Sequence, residues 1–471
     1  MWCIQVPLPK ISTIIVAAES ISENLCANDL LQYLWTIISG FLARDIQIAS
    51  YAADGSNVER ATQRLLEQRA TSTVRIAIKH PHNGHGAEDF VVKIPFFGKQ
   101  PIATLQDPKH LLKTFRNNLF SGARLLTFPT SVATFSQVRK IAAAPDSPIY
   151  LRDVEKLDRQ DDNAATRLFS GATLDWLSKN HPEHLGLIIY LFICGEVIDA
   201  YQNRSLSLSD RVQLILRAHF FIELWEKFLE VSKYPKSRHY VSAQCADITR
   251  TLIHGFLQVV IIYREYVGGA RPLLPWLLST EVIEHVFGLC RQIVKDFNIL
   301  DFHYMVPKLF IKLRQTVLSS KFSDGKSRAS GYNHTYADTR GIDIIALSTY
   351  PTNDDINNII AVRAYEEAES LFALLGVTAS DLFYESATPA RLPAIRTWLI
   401  EDVDLFDQRN ESGIQVNDDI DGDSDSEHDD YQLAMDLLED ADDDLPQAQK
   451  QRLKAYRYAS IALSIEECSQ M

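Results

Sequence analysis

The sequence predicts a mixed α/β region that runs into a long all-α region and ends in an acidic tail. Three observations predict it. Between residues 2 and 106, short runs rich in Ile, Val and aromatic residues, bounded by Gly, Pro and Asp, alternate with amphipathic segments. From about Lys109 onward, apolar residues recur at three- and four-residue spacing. Finally, 14 of the 61 acidic residues fall between Asp418 and Asp444, a window without Lys or Arg. The chain has 471 residues, 46% hydrophobic and 23% charged, which leaves room for two or three cores.

The strand candidates are Trp2–Val6, Thr13–Ala17, Ile46–Ala52, Thr73–Lys79, Phe90–Phe96 and Ile102–Leu105. An amphipathic helix over Asp29–Ala43, with Asn28 as its cap, and a second over Asn57–Gln68 flank the third strand. Strand–helix–strand alternation of this kind implies at least one crossover unit. Helices are then expected at Lys109–Leu126, Asp161–Leu177, Leu185–Ala200, Ser209–Val231, Gln244–Tyr266, Thr280–Phe297 and Phe302–Leu318, with more across 355–400. Residues 409–449 are acidic and poor in aromatics, a composition that does not build a core, and a short helix is expected after them.

Composition excludes several function classes. The net charge of −14 belongs to the tail, because outside it 47 acidic residues balance 47 basic ones, so the body is not a basic nucleic-acid binder by composition. Six scattered cysteines argue against a disulfide framework and for a reducing compartment. The uninterrupted apolar runs Leu187–Cys194 and Leu257–Tyr263 are too short to span a bilayer. MWCIQVPLPK lacks the basic and apolar regions of a secretory signal, so an intracellular protein without membrane association is expected.

Three places carry chemistry-bearing residues. Asp54 follows the third strand in Ala-Asp54-Gly-Ser-Asn57, where α/β folds put ligands and metals; equally, Asp54 or Ser56 caps the next helix. Asp107-Pro-Lys-His110 opens a helix with an Asp cap and Pro at the first position. Its His110, Lys113 and Asn117 share a face, and Lys109, Lys113 and Arg116 offer positive charge to phosphate or to water. Third, Glu281, Glu284, Gly288, Arg291 and Lys295 line the polar side of the helix at Thr280, opposite a stripe of Val282, Ile283, Val286, Phe287 and Cys290. His80-Pro-His82-Asn-Gly-His85 has metal-like spacing but reads better as a loop. Phosphodiester transfer with two divalent ions draws hard oxygen ligands from separate elements, and Asp54 and Glu284 suit that chemistry.

With these residues, the chain resembles the P-element/THAP-type group of RNase H-fold DNA transposases, specifically its transposon-derived fungal relatives. The resemblance runs from residue 2 to about 375. It rests on Ala-Asp54-Gly-Ser-Asn57, on Asp107-Pro-Lys-His110-Leu-Leu-Lys113-Thr-Phe-Arg116-Asn117, and on Glu281-Val-Ile-Glu284-His-Val-Phe-Gly288-Leu-Cys-Arg291. Tyr201-Gln-Asn-Arg204 and Gly331-Tyr-Asn-His334-Thr-Tyr336 also look like the fungal relatives.

The resemblance implies an incomplete RNase H-like sheet core over 1–130, a large helical insertion domain over 131–275 and returning helices over 276–408. The acidic linker (409–449) and terminal helix (450–471) would follow. Asp54 would match the second catalytic aspartate and Glu284 the last acid, both as ligands of Mg²⁺ or Mn²⁺. Asp107, His110 and Glu281 would support the site, and Lys109, Lys113 and Arg116 would contact DNA phosphates. The implied reaction is DNA strand cleavage and transfer in the nucleus, with DNA and a second copy of the chain as partners. Trp2–Ala17 looks like the third strand of that fold, which leaves the first catalytic aspartate and a zinc-binding THAP domain without counterparts, and impaired catalysis is expected. The rival expectation is a non-enzymatic helical scaffold with an acidic regulatory tail.

Overall fold

The computed structural model describes residues 1–7, 11–20, 25–121, 124–155, 158–268, 271–318 and 341–383. The acidic linker, the terminal helix and the Gly331–Tyr336 motif lie outside the described residues.

The described chain is mixed α/β and mostly helical, with small sheets. It opens with β1 (Trp2–Ile4) and β2 (Ile14–Ala17), which pair antiparallel. The expectation that Trp2–Ala17 forms one strand of a central sheet is therefore corrected. The two strands pair with each other and, among the described residues, with no other. β1 stops short of Pro7, which has no N–H to offer a ladder. Helix α1 (Ala27–Leu42) starts earlier than expected. Its cap is Cys26 rather than Asn28, because the Asp29 carboxylate accepts from the Cys26 backbone N–H at 3.2 Å and closes the first turn.

β3 (Ser50–Ala53), α2 (Asn57–Gln68), β4 (Ser72–Ile78), β5 (Phe90–Phe97), β6 (Gln100–Pro101) and β7 (Ala103–Gln106) follow. β3 is shorter than the Ile46–Ala52 run because its ladder exists only where β7 lies alongside, in parallel, with Ala53 opposite Gln106. This parallel pair is the expected crossover unit. β4, β5 and β6 form a separate antiparallel sheet.

The helical part comprises α3 (Pro108–Phe120), the small β8 (Leu126–Thr127) and β9 (Val132–Ala133) pair, α4 (Phe135–Ala142), α5 (Arg152–Glu155), α6 (Asp162–Leu168) and α7 (Gly171–Asn180). Then come α8 (Leu185–Gln202), α9 (Leu208–Val231), α10 (Lys236–His239), α11 (Ala243–Glu265), α12 (Glu281–Ile293) and α13 (Ile299–Leu318). α14 (Asn353–Asp355), α15 (Ala361–Leu374) and α16 (Ala379–Phe383) complete the description. Two expected helices change. Lys109–Leu126 ends at Phe120, since Leu126 joins β8. Asp161–Leu177 splits at Ser170, whose hydroxyl accepts from Thr173 N–H at 3.2 Å and starts a new helix.

One large hydrophobic core runs from Ile78 to Phe383 and joins strands of both sheets, β5 and β7, to the helices. α11 seats directly on the strands. Gly255 is required there, because a Cβ would stand 2.5 Å from the Thr104 carbonyl oxygen. Its neighbours one turn apart, His254 and Gln258, reach Val91 O at 2.9 Å and Lys93 O at 2.5 Å, and Gln258 also accepts from Thr104 N at 3.3 Å. α11 thus bridges two sheets that share no ladder. α8 and α11 are long and apolar enough by composition to cross a membrane, but 67% and 78% of those windows are buried in this fold. The short uninterrupted runs in the sequence understate that helix-wide apolarity. A smaller cluster packs α12 and α13 on each other and on Met1, Cys3 and Ile15.

Candidate functional site

The parallel β3–β7 register places Ala53 beside Gln106, so Asp54 and Asp107 leave adjacent strands at the same end. That is the edge where α/β folds bind ligands. Between strand and helix, Gly55 takes φ +94°, a left-handed turn natural to glycine. A Cβ there would stand 2.9 Å from Gln106 Oε1 and 3.1 Å from His110 Cδ2, so His110 packs over the turn that carries Asp54. Asp54 itself is exposed, and its Oδ1 accepts from Ser56 N–H at 2.9 Å. Ser56 is the helix cap, accepting from Glu59 N–H at 3.3 Å.

Asp107 has a different fate. It is 2% exposed, and both carboxylate oxygens are engaged. Oδ1 accepts from Lys109 N–H at 2.7 Å and caps α3, whereas Oδ2 accepts from the backbone N–H of Thr280 at 3.1 Å and from its hydroxyl. One carboxylate thereby ties the start of α3 to the start of α12, 173 residues away. α12 presents Glu281 inward, where it pairs with Lys109 at 3.1 Å. Glu284, one turn on, is exposed.

The charges at this edge act on one another. Burial, then the charge of Asp107, push the Glu281 carboxyl above its usual range despite Lys109. Burial alone would lower the Lys109 ammonium, but Glu281 outweighs it and the net direction is up. The Glu284 carboxyl, although exposed at its tip, is also raised, first by partial desolvation against the surrounding chain and then by Asp107 and Asp162, against Lys113 and Lys109. Glu59, hydrogen-bonded to Tyr51 at 2.9 Å, is raised by burial and by Asp54. Spacing did not single out Glu59, although it lies one turn into the helix that Asp54-Gly-Ser56 opens.

The expectation that Lys109, Lys113 and Arg116 face phosphate is corrected. Lys109 is buried against Glu281, and Lys113 pairs with Asp162 at 3.1 Å. Arg116 is 1% exposed and donates to the carbonyls of Asp158 at 2.8 Å and Asp153 at 3.1 Å while lying over the Phe120 ring. The Asp158–Asp162 stretch supplies two of these partners, the Asp162 carboxylate for Lys113 and the Asp158 carbonyl for Arg116. Asp161 caps α6, accepting from Asn163 N–H at 2.8 Å and Ala164 N–H at 3.0 Å.

No protein-family model, curated protein or solved structure matches this chain.

The geometry must therefore speak for itself. Asp54, His110, Asp107, Glu281 and Glu284, from three stretches of sequence, belong to one strand-end edge. They do not form a closed ligand cage. Among the described residues, the group of at least three ligands whose donor atoms all lie within 4.8 Å of one another is His181, Glu183 and His184. Sequence reading passed over that group; its signal is His181-Pro-Glu-His184, two imidazoles three residues apart around a carboxylate. The His80–His85 turn is a structural loop. His80 is 4% exposed, its ring sits against Phe220, Tyr365 and Phe383, and its Nε2 lies 3.3 Å from Glu223 Oε2.

Proposed function

We propose that this chain is a transposon-derived relative of the RNase H-fold DNA transposases, in which the strand-end edge is the remnant of a metal-dependent strand-transfer site. The observation that carries the reading is the Asp107–Thr280 link. It fastens the helix of Glu284 to the strand end beside Asp54, an arrangement that a two-carboxylate site requires and that an isolated helix cap does not. Asp54 and Glu284 would hold Mg²⁺ or Mn²⁺. Both are exposed hard-oxygen donors, which fits a hydrated divalent ion bound through one or two carboxylates. When bound, such an ion supplies neutralising charge at a phosphodiester oxygen. Asp107 orients α12, Lys109 holds Glu281 in place, and His110 packs the Asp54 turn.

Impaired catalysis is part of the proposal. A two-metal site needs a further carboxylate, and Asp107, next along the edge, spends both oxygens on caps. The second reading, a non-enzymatic scaffold, draws its support from the internal pairing of Lys109, Lys113 and Arg116. DNA, a second copy of the chain and a nuclear location stay with the transposase reading.

Thermal melting under Mn²⁺ titration tests the two. Ligand binding to the native state raises the melting temperature by linkage. The transposase reading expects a rise in the wild type that Asp54→Ala and Glu284→Ala each abolish, in a His181→Ala background that removes the other metal-ligand cluster. Equal responses from all variants hand the case to the scaffold.

A further inference from the structure

We infer that the corner between α7 and α8 is a transition-metal site of the zinc type, formed by His181, Glu183 and His184. It stands apart from the hard-cation edge just described and does not depend on it.

The corner is built by two helix ends. His181 follows the last residue of α7, its N–H donating to Leu177 O at 2.8 Å, and Pro182 stops that helix. His184 precedes the first residue of α8, and its N–H closes the turn onto His181 O at 3.0 Å. The tight turn brings the two rings into a stack, 5.3 Å between centroids and 12° between planes. Glu183 Oε1 lies 2.9 Å from His181 Nδ1 and 3.9 Å from His184 Nε2. The three donor atoms converge within 4.8 Å of one another, so small side-chain rotations bring them to the 2.0–2.2 Å metal distances of about that size found in zinc sites.

Donor chemistry selects the ion. Two imidazoles and one carboxylate suit Zn²⁺, Co²⁺ or Ni²⁺, whereas Mg²⁺ and Ca²⁺ prefer all-oxygen sets. Three protein ligands leave a fourth tetrahedral position for water or an incoming group. Protons balance as follows. The metal takes the lone pair of His181 Nδ1, so the proton shared there with Glu183 Oε1 moves to Nε2 or to solvent. His184 binds through Nε2, so its proton resides on Nδ1. That Nδ1 faces the Gln137 amide nitrogen at 3.5 Å, while Gln137 Oε1 is committed to Thr134 N–H at 2.9 Å in the α4 cap. Gln137 is thus a poor acceptor for the His184 proton. A glutamate in its place keeps the capping box and supplies the carboxylate that usually backs a metal-bound imidazole.

Calorimetric titration of the full chain with Zn²⁺, paired with Co²⁺ absorption, tests the inference. Expected are one equivalent bound and tetrahedral Co²⁺ bands in the visible, both lost in His181→Ala and in His184→Ala and retained in Asp54→Ala and in His82→Ala. Gln137→Glu is expected to tighten Zn²⁺ binding, by about tenfold. That gain cannot come from a misfolded variant. Zn²⁺ binding that survives both histidine substitutions overturns the site, as does a wild type that binds no Zn²⁺ at 100-fold excess over protein. Because Asp54→Ala spares this site and His181→Ala spares the edge, failure here leaves the transposase reading standing, and the reverse holds too.

Discussion

The strand-end edge and the helical body hold together by different balances of directed bonds and packed volume. At the edge, elements far apart in sequence are joined by directional polar contacts: Asp107 to Thr280, Lys109 to Glu281, Lys113 to Asp162 and Arg116 to two carbonyls. In the body, α8, α9, α11 and α15 interlock mainly through volume, with one directed joint in which Arg217 of α9 pairs with Glu196 of α8 and Glu367 of α15. Phe220, Phe221, Leu224, Trp225 and Phe228 on α9 are all buried, and Phe221 and Phe228 meet Phe372 of α15 edge-on. A joint made of directed bonds fixes where a side chain points, and a joint made of volume fixes only that space is filled. The molecule uses the first kind where carboxylates need positioning.

The comparison breaks most easily in the body. Trp225 stacks on Phe128 at 4.5 Å between centroids and donates Nε1–H to Thr127 O at 2.7 Å. Trp225→Ala is expected to cost about 3–5 kcal/mol in denaturant unfolding. A loss below 1 kcal/mol means α9 is not the pillar of the core. The edge is next. Asp107→Ala removes a helix cap and strands the half-buried Thr280 donors, an expected loss of about 2–3 kcal/mol, whereas exposed Asp54→Ala is expected to stay within about 0.5 kcal/mol. Equal losses from the two aspartates erase the distinction between a structural acid and an exposed one.

The third prediction concerns pH and is read as variant minus wild type, so that other groups cancel. Burial pushes His219 down to about 4, and its ring stacks on Phe90 at 3.9 Å. A lowered histidine binds fewer protons folded than unfolded, so its contribution is full above the ordinary 6.5 and is lost as pH falls from 6.5 toward 4. His219→Gln is expected to remove that acid-side loss, an effect that reaches about 3 kcal/mol by pH 4. Raised Glu281 carries the opposite sign: it favours the fold below its raised pKa, so Glu281→Gln matters on the alkaline side. An unchanged acid limb in His219→Gln would show that its ring is hydrated.

Much of the scaffold was legible because it is local. The bounds of α2 and the Asp107-Pro108 start of α3 depend on a few neighbouring residues, and they appear as expected. The site was half legible. Strand-end position picked out Asp54 and Asp107, but nothing local distinguishes an aspartate that will meet Thr280 from one that will meet water. Lys109, Lys113 and Arg116 likewise look alike in sequence until Glu281, Asp162 and the Asp158 carbonyl arrive from elsewhere. The hairpin of β1 and β2 was misjudged for the same reason, since strand pairing is a non-local choice.

The docking of α11 on the strands has a consequence for how the chain is made. β5 and β7 share no ladder, and Gln258 spans them by bonding to Lys93 O and Thr104 N. During synthesis those strand groups emerge some 150 residues before Gln258 does. At ordinary translation rates that is a wait of roughly 8–30 seconds, during which an open β edge is exposed beside the tunnel exit. The helix that covers those strand groups is among the later parts of the fold to emerge.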